Sequence, residues 1–293
     1  MRFAAYRQGN SYGIAASAGL DTPFHGLIAD APGFPGTLDE LVGQGAATLS
    51  AAGRSLLASA PSIDLATVTL LPPLARSEKI LCIGLNYASH KEETGHTAPQ
   101  VYPVIFGRFN SSLIGHGAAI VRPRVSDKLD FEGEFVAVIG KGGRDIPRAQ
   151  ALDHVVAYSV FNDASVRDYQ VKTPQWTIGK NFDGTGAFGP WLVTADEVPA
   201  GAAGLRIETR LNGEVVQSAS TSDMLFDVAQ LIEILSEALT LSPGDIIVTG
   251  TPAGVGAARK PPLFMKAGDV CEVEVERLGV LRNDVVDQLD LVA

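Results

Sequence analysis

Two glutamates in one strand-like segment constrain this chain most. Glu132 and Glu134 lie two residues apart in the run 130–140, which ends in apolar residues. Because successive side chains of a strand point to opposite faces, both carboxylates project to the same face, where Val136 and Val138 follow them. Two carboxylates that enter a core repel each other and are costly to desolvate, unless a hard divalent cation lies between them. The spacing alone fits equally well an amphipathic strand with a solvated acidic face.

A second Glu-x-Glu strand in the same chain provides a comparison. Between residues 270 and 276, glutamates alternate with apolar residues to the end of the run. That pattern is typical of a half-buried antiparallel strand. We therefore expect water around this second set of acids, Glu272, Glu274 and Glu276.

The size and charge of the chain exclude several classes of function. It has 293 residues, of which 46% are hydrophobic and 19% are charged, and its formal net charge is −10. This composition is globular, and a broadly acidic surface argues against nucleic acid or an anionic membrane as a partner. Cys82 and Cys271 are isolated, so no disulfide framework is expected. These unpaired cysteines fit a reduced, cytoplasmic setting, and the sequence has neither a signal-peptide pattern nor an apolar run of membrane-spanning length.

The punctuation of the chain predicts two domains. Residues 1–73 form a small N-terminal domain that ends in a Leu-Leu-Pro-Pro sequence, and residues 74–293 form the main domain. Strand patterns dominate the main domain, including a hairpin around the Asn-Gly turn at 212–213. One amphipathic helix is predicted over 225–239, with Ser222 as its N-cap. This inventory is that of an α+β fold rich in strands.

Four further residues carry side chains suited to chemistry. Asp163 follows an apolar strand and would lie at the rim of a sheet, although the cap of the following helical turn is the better interpretation of this position alone. Lys180 would supply a fixed positive charge to an enolate or a carboxylate if it were buried near a metal. His90 and Glu93 share a face in a helix, which suits a general base acting on water. Taken alone, that pair fits better the charged tip of a solvated helix.

Two glycine-rich runs differ in what they can bind. The run 249–256 follows a strand and could present backbone N–H groups and the hydroxyl of Thr251 to a carboxylate. The run 184–189 matches Gly-x-Gly-x-x-Gly, but strand-like residues come after it, where a dinucleotide site needs a helix. Only the first run is therefore a candidate for the site.

Together, these segments resemble the fumarylacetoacetate hydrolase superfamily. The resemblance covers residues from about 70 to 286. It rests on six motifs that occur in the family's order: Asn86-Tyr87-x-x-His90-x-x-Glu93, Glu132-x-Glu134, Asn162-Asp163-x-Ser165-x-Arg167-Asp168-x-Gln170, Gly179-Lys180-x-Phe182-Asp183, Gly189-Pro190-Trp191-Leu192 and Thr249-Gly250-Thr251-Pro252-x-Gly254-Val255-Gly256.

The resemblance implies a fold, a cofactor and a role for each residue. The fold is a mixed β-sandwich roll of the family's C-terminal type, preceded by a small N-terminal α/β domain. The cofactor is Mg²⁺ or Mn²⁺, the assembly is a homodimer, and the substrates are acylpyruvates and related 2-oxo acids of aromatic catabolism. The implied metal ligands are Glu132, Glu134 and Asp163; the implied water-activating pair on a lid-like segment is His90 and Glu93; the implied substrate contacts are Lys180, Thr251 and Gln170.

One position departs from the family pattern. Many members have a lysine where this chain has Arg108, and arginine does not substitute simply for lysine. We expect Arg108 to contact substrate at the far end of the pocket. The longer animal-type hydrolases have a fourth acidic ligand without a counterpart here, so waters are expected to complete the metal shell.

The sequence therefore predicts a metal-dependent hydrolase that cleaves a C–C bond of an acylpyruvate. Water activated by His90 would attack the distal carbonyl, and the pyruvate enolate would leave, stabilised by the metal and Lys180. If no water is activated, the same site would act as an oxaloacetate-type decarboxylase or a hydroxymuconate-type isomerase. A third alternative, from another class, is a non-catalytic module that the metal stabilises.

Overall fold

The computed structural model describes residues 1–93, 95 and 100–288. Strands dominate it, as the alternating patterns predict. They are β1 (Arg2–Gln8), β2 (Ser11–Ser17), β3 (Phe24–Ile28), β4 (Ser62–Ile63), β5 (Thr69–Leu70), β6 (Ile80–Gly84), β7 (Val104–Gly107), β8 (Leu113–Ile114), β9 (Ile120–Arg122), β10 (Leu129–Asp130), β11 (Gly133–Ile139), β12 (Val155–Asp163), β13 (Ser165–Val166), β14 (Gly186–Thr194), β15 (Arg206–Leu211), β16 (Glu214–Ser220), β17 (Ile246–Val248), β18 (Val270–Val275) and β19 (Gly279–Asp287).

The helices are few and mostly short. They are α1 (Leu38–Gly43), α2 (Ala46–Ser59), α3 (Ala88–Glu93), α4 (Arg167–Gln170), α5 (Thr177–Lys180) and α6 (Val228–Ala238), with 3₁₀ helices at Leu65–Thr67, Asn110–Ser112, Arg148–His154, Ala195–Glu197, Ala200–Ala202, Thr221–Asp223 and Gly256–Ala258. None of the helices within the described ranges has the length and apolar character of a membrane span.

Two sheets form the framework. The larger has the order β4-β3-β2-β1-β14-β12-β11-β17-β6-β7, with β5 beside β1 and β8 beside β14. Its neighbours are antiparallel except β17 with β6 and β8 with β14. The smaller sheet has the order β16-β15-β18-β19-β9, and β10 pairs separately with β13. This mixed, strand-rich architecture confirms the predicted fold class.

The two faces of β11 enter two different cores. Phe135 and Ala137 pack with α6 and with residues of the smaller sheet. Val136 and Val138 pack on the opposite face with β1, β2, α1 and α2. Because Glu134 and Glu132 alternate in step with Val136 and Val138, the acids continue the face that α1 and α2 cover. The face that carries the acids is therefore buried, as the alternation suggests.

The N-terminal residues join the larger sheet. Strand β1 pairs antiparallel with β14, with Arg2 opposite Val193 and Phe3 opposite Leu192. Residues 1–73 thus add strands beside those that carry the candidate site. The division at residues 73 and 74 into two domains stays a prediction, and residues 289–293 of the predicted main domain lie outside the described residues.

Local predictions agree with the structure at the hairpin and differ at one helix. Residues 212–213 form the turn between β15 and β16, and both have positive φ, as an Asn-Gly turn requires. Helix α6 begins after Asp227, whose side chain accepts a hydrogen bond from the Gln230 N–H at 2.8 Å. The predicted cap Ser222 lies instead in a 3₁₀ turn. Aspartate is as good an N-cap as serine, and Asp227 lies directly before the first residue of the helix.

The comparison strand β18 is half-buried, as predicted, but its acids are ion-paired. Arg210 Nη1 lies 2.8 Å from Glu274 Oε2, and Arg206 Nη2 lies 2.6 Å from Glu274 Oε1. Glu276 is exposed. Glu272 and Glu274 are paired across the sheet with arginines near its surface, which distinguishes them from Glu132 and Glu134.

Candidate metal and substrate site

Three carboxylates converge where β11 and β12 meet. The antiparallel register places Gly133 opposite Asn162, so Glu132 lies next to Asp163, whose N–H donates to the Glu132 carbonyl at 2.9 Å. Each of Glu132, Glu134 and Asp163 offers a carboxylate oxygen within 4.8 Å of those of the other two, and all three residues are buried. Three hard oxygen donors in one buried cluster fit a divalent cation such as Mg²⁺ or Mn²⁺.

Asp163 has a different place from that of a helix cap. Helix α4 starts at Arg167, and no side chain caps it. The carboxylate of Asp163 instead accepts hydrogen bonds from Arg108 Nε and from Lys180 Nζ. Taken alone, the sequence around Asp163 favours a helix cap, but the structure places this side chain in the acidic cluster. The register of β12 against β11 turns it toward Glu132.

The electrostatic environment separates the two glutamates. Burial, together with the nearby charges of Asp163 and Glu132, raises the pKa of Glu134 well above its usual range. Burial also acts to raise the pKa of Glu132, but the charges of Arg167 and Lys180 outweigh it and hold that pKa far below its usual range. Glu134 is therefore the acid that most needs an additional cation.

Lys180 is a buried cation that bridges two acids of the cluster. Its Nζ donates to Glu132 Oε2 and to Asp163 Oδ2, the latter at 2.5 Å, and lies 4.8 Å from the centre of the Phe106 ring. Burial lowers the pKa of a lysine, but Asp163 and Glu132 reverse the effect and raise the pKa of Lys180. It is a buried, charged lysine beside the three acids, as an enolate-stabilising group would have to be.

Arg108 lies behind the site instead of on the wall of the cavity, which differs from the predicted substrate contact. Its side chain has no exposed surface. The guanidinium donates to Asp163 Oδ1, and to the Ala164 carbonyl at 2.5 Å, and lies over the Phe161 ring at 5.7 Å. The carboxylate of Asp163 therefore separates it from the cavity. Its observed contacts orient a proposed metal ligand.

Arg167 belongs to the site although the sequence analysis assigned it no role. Its Nε donates to Asp130 Oδ2 at 2.8 Å, its Nη2 lies 2.7 Å from Glu132 Oε1, and its Nη1 donates to Gln170 Oε1 at 2.9 Å. Because Gln170 uses its carbonyl oxygen for this bond, its amide N–H groups are the donors that it can offer to the cavity. The sequence feature that could have pointed to this role is the position of the arginine, four residues after Asp163.

The structure forms the pair that the sequence proposed as a general base. His90 is buried in α3, and its Nδ1 lies 2.7 Å from Glu93 Oε1. The other oxygen of Glu93 accepts the Gly254 N–H at 2.9 Å. Both residues line the same cavity as the three acids. The pair is thus part of the site and not a solvated helix tip.

The glycine-rich loop binds the protein's own carboxylates. The N–H of Gly250 donates to Glu134 Oε2 at 2.5 Å, and those of Gly256 and Ala257 donate to Asp130 at 2.7 and 2.9 Å. Gly250 has a φ of +100° and Gly254 of +107°, a region that favours glycine. The expected use of these N–H groups for a substrate carboxylate is therefore not what the structure has; they position acidic side chains around the site.

The cavity above the acids has a charged floor and a wall that combines polar and apolar side chains. Its volume is about 710 Å³. Glu132, Glu134 and Asp163 lie at one end with Lys180. The remaining wall includes His90, Glu93, Gln170, Thr251, Trp176, Phe106, Ile83, Leu85, Val171 and Val255, with Lys128 and Asp168. A small acid that binds through its oxygens could use the floor while its carbon chain contacts the wall.

Comparison with known proteins gives concordant results. The family described as fumarylacetoacetate (FAA) hydrolase, C-terminal, matches residues 79–286. The mitochondrial oxaloacetate tautomerase of Homo sapiens is 43% identical over 279 residues, which cover 93% of this chain and 88% of that protein.

Solved structures agree in fold over almost the whole chain. A fumarylacetoacetate hydrolase from Exiguobacterium antarcticum has a TM-score of 0.83 at 36% identity and covers 98% of this chain and 100% of its own. A 5-carboxymethyl-2-hydroxymuconate delta-isomerase from Mycobacterium smegmatis has a TM-score of 0.76 at 33% identity and covers 98% and 99%.

The cytoplasmic location predicted from the sequence is wrong by this comparison, because the human relative is a mitochondrial protein. The prediction rested on two unpaired cysteines and on the lack of a secretory signal pattern. Both features suit any compartment that keeps thiols reduced, so they do not single out the cytoplasm.

Proposed function

This chain belongs to the fumarylacetoacetate hydrolase family, and we propose that it is a divalent-metal-dependent enzyme that interconverts the keto and enol forms of an oxaloacetate-type 2-oxo acid. The observation that carries the proposal is the buried cluster of Glu132, Glu134 and Asp163 with Lys180 bonded to two of them. The reaction named for the human relative supports keto–enol chemistry over hydrolysis. The specific ion, Mg²⁺ or Mn²⁺, is part of the proposal.

Each side chain has a task in this reaction. Glu132, Glu134 and Asp163 would hold the ion, which supplies Lewis acidity to a developing enolate. The ammonium of Lys180 adds a second positive charge at the same end of the cavity and stabilises the enolate oxygen. The amide N–H groups of Gln170 would bind a substrate carboxylate.

His90 would move the proton. Glu93 holds Nδ1 of the ring, so the imidazole is oriented by one nitrogen and would exchange a proton with substrate carbon through Nε2. The Gly254 N–H fixes the far oxygen of Glu93, and the pair is therefore anchored to the glycine-rich loop. Toward the enol, the pair would take a proton from carbon, and the enolate oxygen would take one from solvent. Toward the keto form, the enol O–H would lose its proton to solvent, and the protonated imidazole would return a proton to carbon.

The test is the rate at which oxaloacetate enol converts to the keto form. We expect the purified protein with Mg²⁺ or Mn²⁺ to accelerate the loss of enol absorbance, and EDTA to remove the acceleration. A Glu276→Gln variant, changed at an exposed acid outside the site, should behave as wild type. A rate no faster than that of buffer would exclude the tautomerase; if added metal still raised the melting temperature, a non-catalytic module would account for it.

A second candidate is hydrolysis of an acylpyruvate, a reaction to which the His90–Glu93 pair is also suited. A buried imidazole held by a carboxylate suits the activation of water as well as proton transfer from carbon. Decarboxylation of oxaloacetate would pass through the same enolate and use Lys180 in the same way. Hydrolysis needs an attacking water and decarboxylation does not, so a change at His90 should affect the two reactions differently.

Replacing His90 by alanine should reduce acylpyruvate hydrolysis by about 10²-fold, because general-base catalysis typically contributes this much. Decarboxylation of oxaloacetate needs no activated water and should fall much less. The measurement compares kcat for pyruvate release from both substrates in wild type and in His90→Ala. Equal losses on both substrates would contradict the assignment of His90 to water.

The oligomeric state and the class of partner are also part of the proposal. A homodimer is proposed from the family resemblance alone. The substrate is proposed to be a small 2-oxo acid, and the acidic surface argues against nucleic acid and anionic membranes as partners.

A further inference from the structure

Gly133, between the two proposed metal-ligand glutamates, lies in a closed ring of hydrogen bonds. Its N–H donates to Gln217 Oε1 at 2.9 Å, and its carbonyl accepts from the Thr251 hydroxyl at 2.9 Å. Gln217 Nε2 donates to Thr251 Oγ1 at 2.8 Å and closes the ring. The N–H and the carbonyl of Gly133, the residue between Glu132 and Glu134, are therefore both held by side chains from other elements.

Gln217 comes from the smaller sheet. It lies on β16, is 2% exposed, and reaches β11 of the larger sheet and the glycine-rich loop together. Its Nε2 also donates to the Pro252 carbonyl at 2.8 Å. An N–H faces one end of the amide and a carbonyl faces the other, so only one orientation of the amide satisfies both.

The segment also packs closely against the smaller sheet at Gly133. A Cβ on Gly133 would lie 2.0 Å from Thr209 Oγ1 and 3.1 Å from Val273 Cγ1. The backbone of β11 is thus pressed against the smaller sheet at the point where Gln217 bonds to it. Close packing against the smaller sheet and the hydrogen bonds of the ring therefore act on the same residue, which lies between the two glutamates.

The ring also fixes what Thr251 can do. A hydroxyl has one proton to donate and two lone pairs to accept. Gln217 is a donor to Thr251, and the hydroxyl proton goes to the Gly133 carbonyl. Thr251 lines the cavity with one lone pair left. It can accept a hydrogen bond from an enol or from water, but it has no proton to give to a substrate oxygen, which revises its expected role.

We propose that Gln217 is a positioning residue that, through this ring, sets the spacing of Glu132 and Glu134 for a divalent ion and restricts Thr251 to accepting a hydrogen bond from the substrate. The inference concerns the metal site and so rests on that part of the proposed function. Gln217 itself does not line the cavity, and it acts through Gly133 and Thr251.

The test is the dissociation constant for Mn²⁺, measured by calorimetry, in wild type and in Gln217→Met. Methionine keeps the length of the side chain and removes its hydrogen bonds. Mutation of groups that orient metal ligands typically costs 10–100-fold in metal affinity, so we expect binding weaker by about 10-fold or more. Asn283→Leu is the matched control. Asn283 is also buried, and its amide donates to two carbonyls that are distant from it in the sequence, those of Gly115 and Ala118.

Gln217→Met and Asn283→Leu each lose a buried amide, so both should have a lower melting temperature than wild type. Only Gln217→Met should lose affinity for Mn²⁺. Thr251→Val breaks the ring from its other member, and Thr251→Ser keeps the hydroxyl and should restore affinity. Because the ring acts as a unit, the Gln217→Met, Thr251→Val double variant should bind Mn²⁺ little worse than the weaker single variant.

The outcomes distinguish the two proposals. If wild type binds no Mn²⁺, the metal site is wrong and the positioning role falls with it. If wild type binds Mn²⁺ and Gln217→Met binds as tightly, or if the losses of the two single variants add in the double variant, the metal site stands and the ring proposal is overturned. If Gln217→Met does not fold, Thr251→Val against Thr251→Ser decides the same question.

Discussion

Replacing Glu134 by glutamine should lower metal-dependent turnover by about 10³-fold and, in EDTA, make the protein more resistant to urea than wild type. The first effect follows from loss of a carboxylate ligand, since Lewis-acid stabilisation of an enolate is worth several kcal/mol and each 1.36 kcal/mol is a factor of about ten in rate. The second follows from burial, which together with the charges of Asp163 and Glu132 penalises the ionised carboxylate in the folded protein.

The pH dependence of this stability difference has a definite sign. The pKa of Glu134 is raised in the folded protein above its ordinary value of 4.5, so the folded state holds the proton more tightly than the unfolded state. The wild type in EDTA therefore loses stability as pH rises from about 4.5 through the folded pKa. Glutamine does not titrate, and the advantage of Glu134→Gln should grow over the same range.

The measurement is urea unfolding in EDTA at several pH values, together with kcat at saturating Mg²⁺ or Mn²⁺. Glu276→Gln, an exposed acid, is the matched control and should alter neither. A Glu134→Gln protein that is less stable than wild type in EDTA at neutral pH would mean that Glu134 carries no buried negative charge in need of a cation. Retained turnover would remove it from the proposed ligand set.

The part of the site that the sequence predicts is the part with a local signal. The period-two alternation of a strand places Glu132 and Glu134 on one face, and the apolar Val136 and Val138 on that face predict burial. Both features are visible within the seven residues from Glu132 to Val138. The control strand β18 has the same spacing with alternation to its end, and its acids meet arginines at the surface.

The parts that the sequence left open depend on pairing between distant segments. Asp163 becomes a neighbour of Glu132 only through the register of β12 against β11, which no local pattern specifies. Arg108 turns toward Asp163 because Gly186 makes room for it; a Cβ there would lie 2.5 Å from Arg108 Nη1. Gly186 lies 78 residues after Arg108 in the sequence (186 − 108), and the local pattern around it indicates only a loop.

The same reasoning applies to the supports of the site. Asp130, Arg167 and Gln217 make hydrogen bonds to loop and strand atoms that lie 35 to 127 positions away in the sequence. Charged side chains such as Arg167 are mostly exposed, and a lone arginine in a sequence predicts solvent. Its burial against Asp130 and Glu132 is a property of the assembled fold. Resemblance to a family can supply such positions, but composition and spacing cannot.

Changing Lys180 to methionine should lower kcat by about 10²–10³-fold, the usual cost of removing one group that stabilises a developing oxyanion. Methionine fills much of the lysine volume beside Phe106 without the charge. The exposed Lys266 supplies the control, since Lys266→Met removes the same charge from the surface. Arginine at position 180 should not restore activity, because its planar fork is larger and differs in geometry from an ammonium.

The metal affinity of Lys180→Met decides how the lysine acts. Its ammonium bonds to Glu132 Oε2 and Asp163 Oδ2, two of the proposed ligand carboxylates. Removal of that positive charge leaves the three acids more attractive to a divalent cation, so Mn²⁺ should bind to Lys180→Met at least as tightly as to wild type. A fall in kcat with unweakened Mn²⁺ binding would place Lys180 on the reacting oxygen. If Mn²⁺ affinity and kcat were lost in parallel, Lys180 would instead be a structural support of the carboxylate cluster, and the enolate would depend on the ion alone.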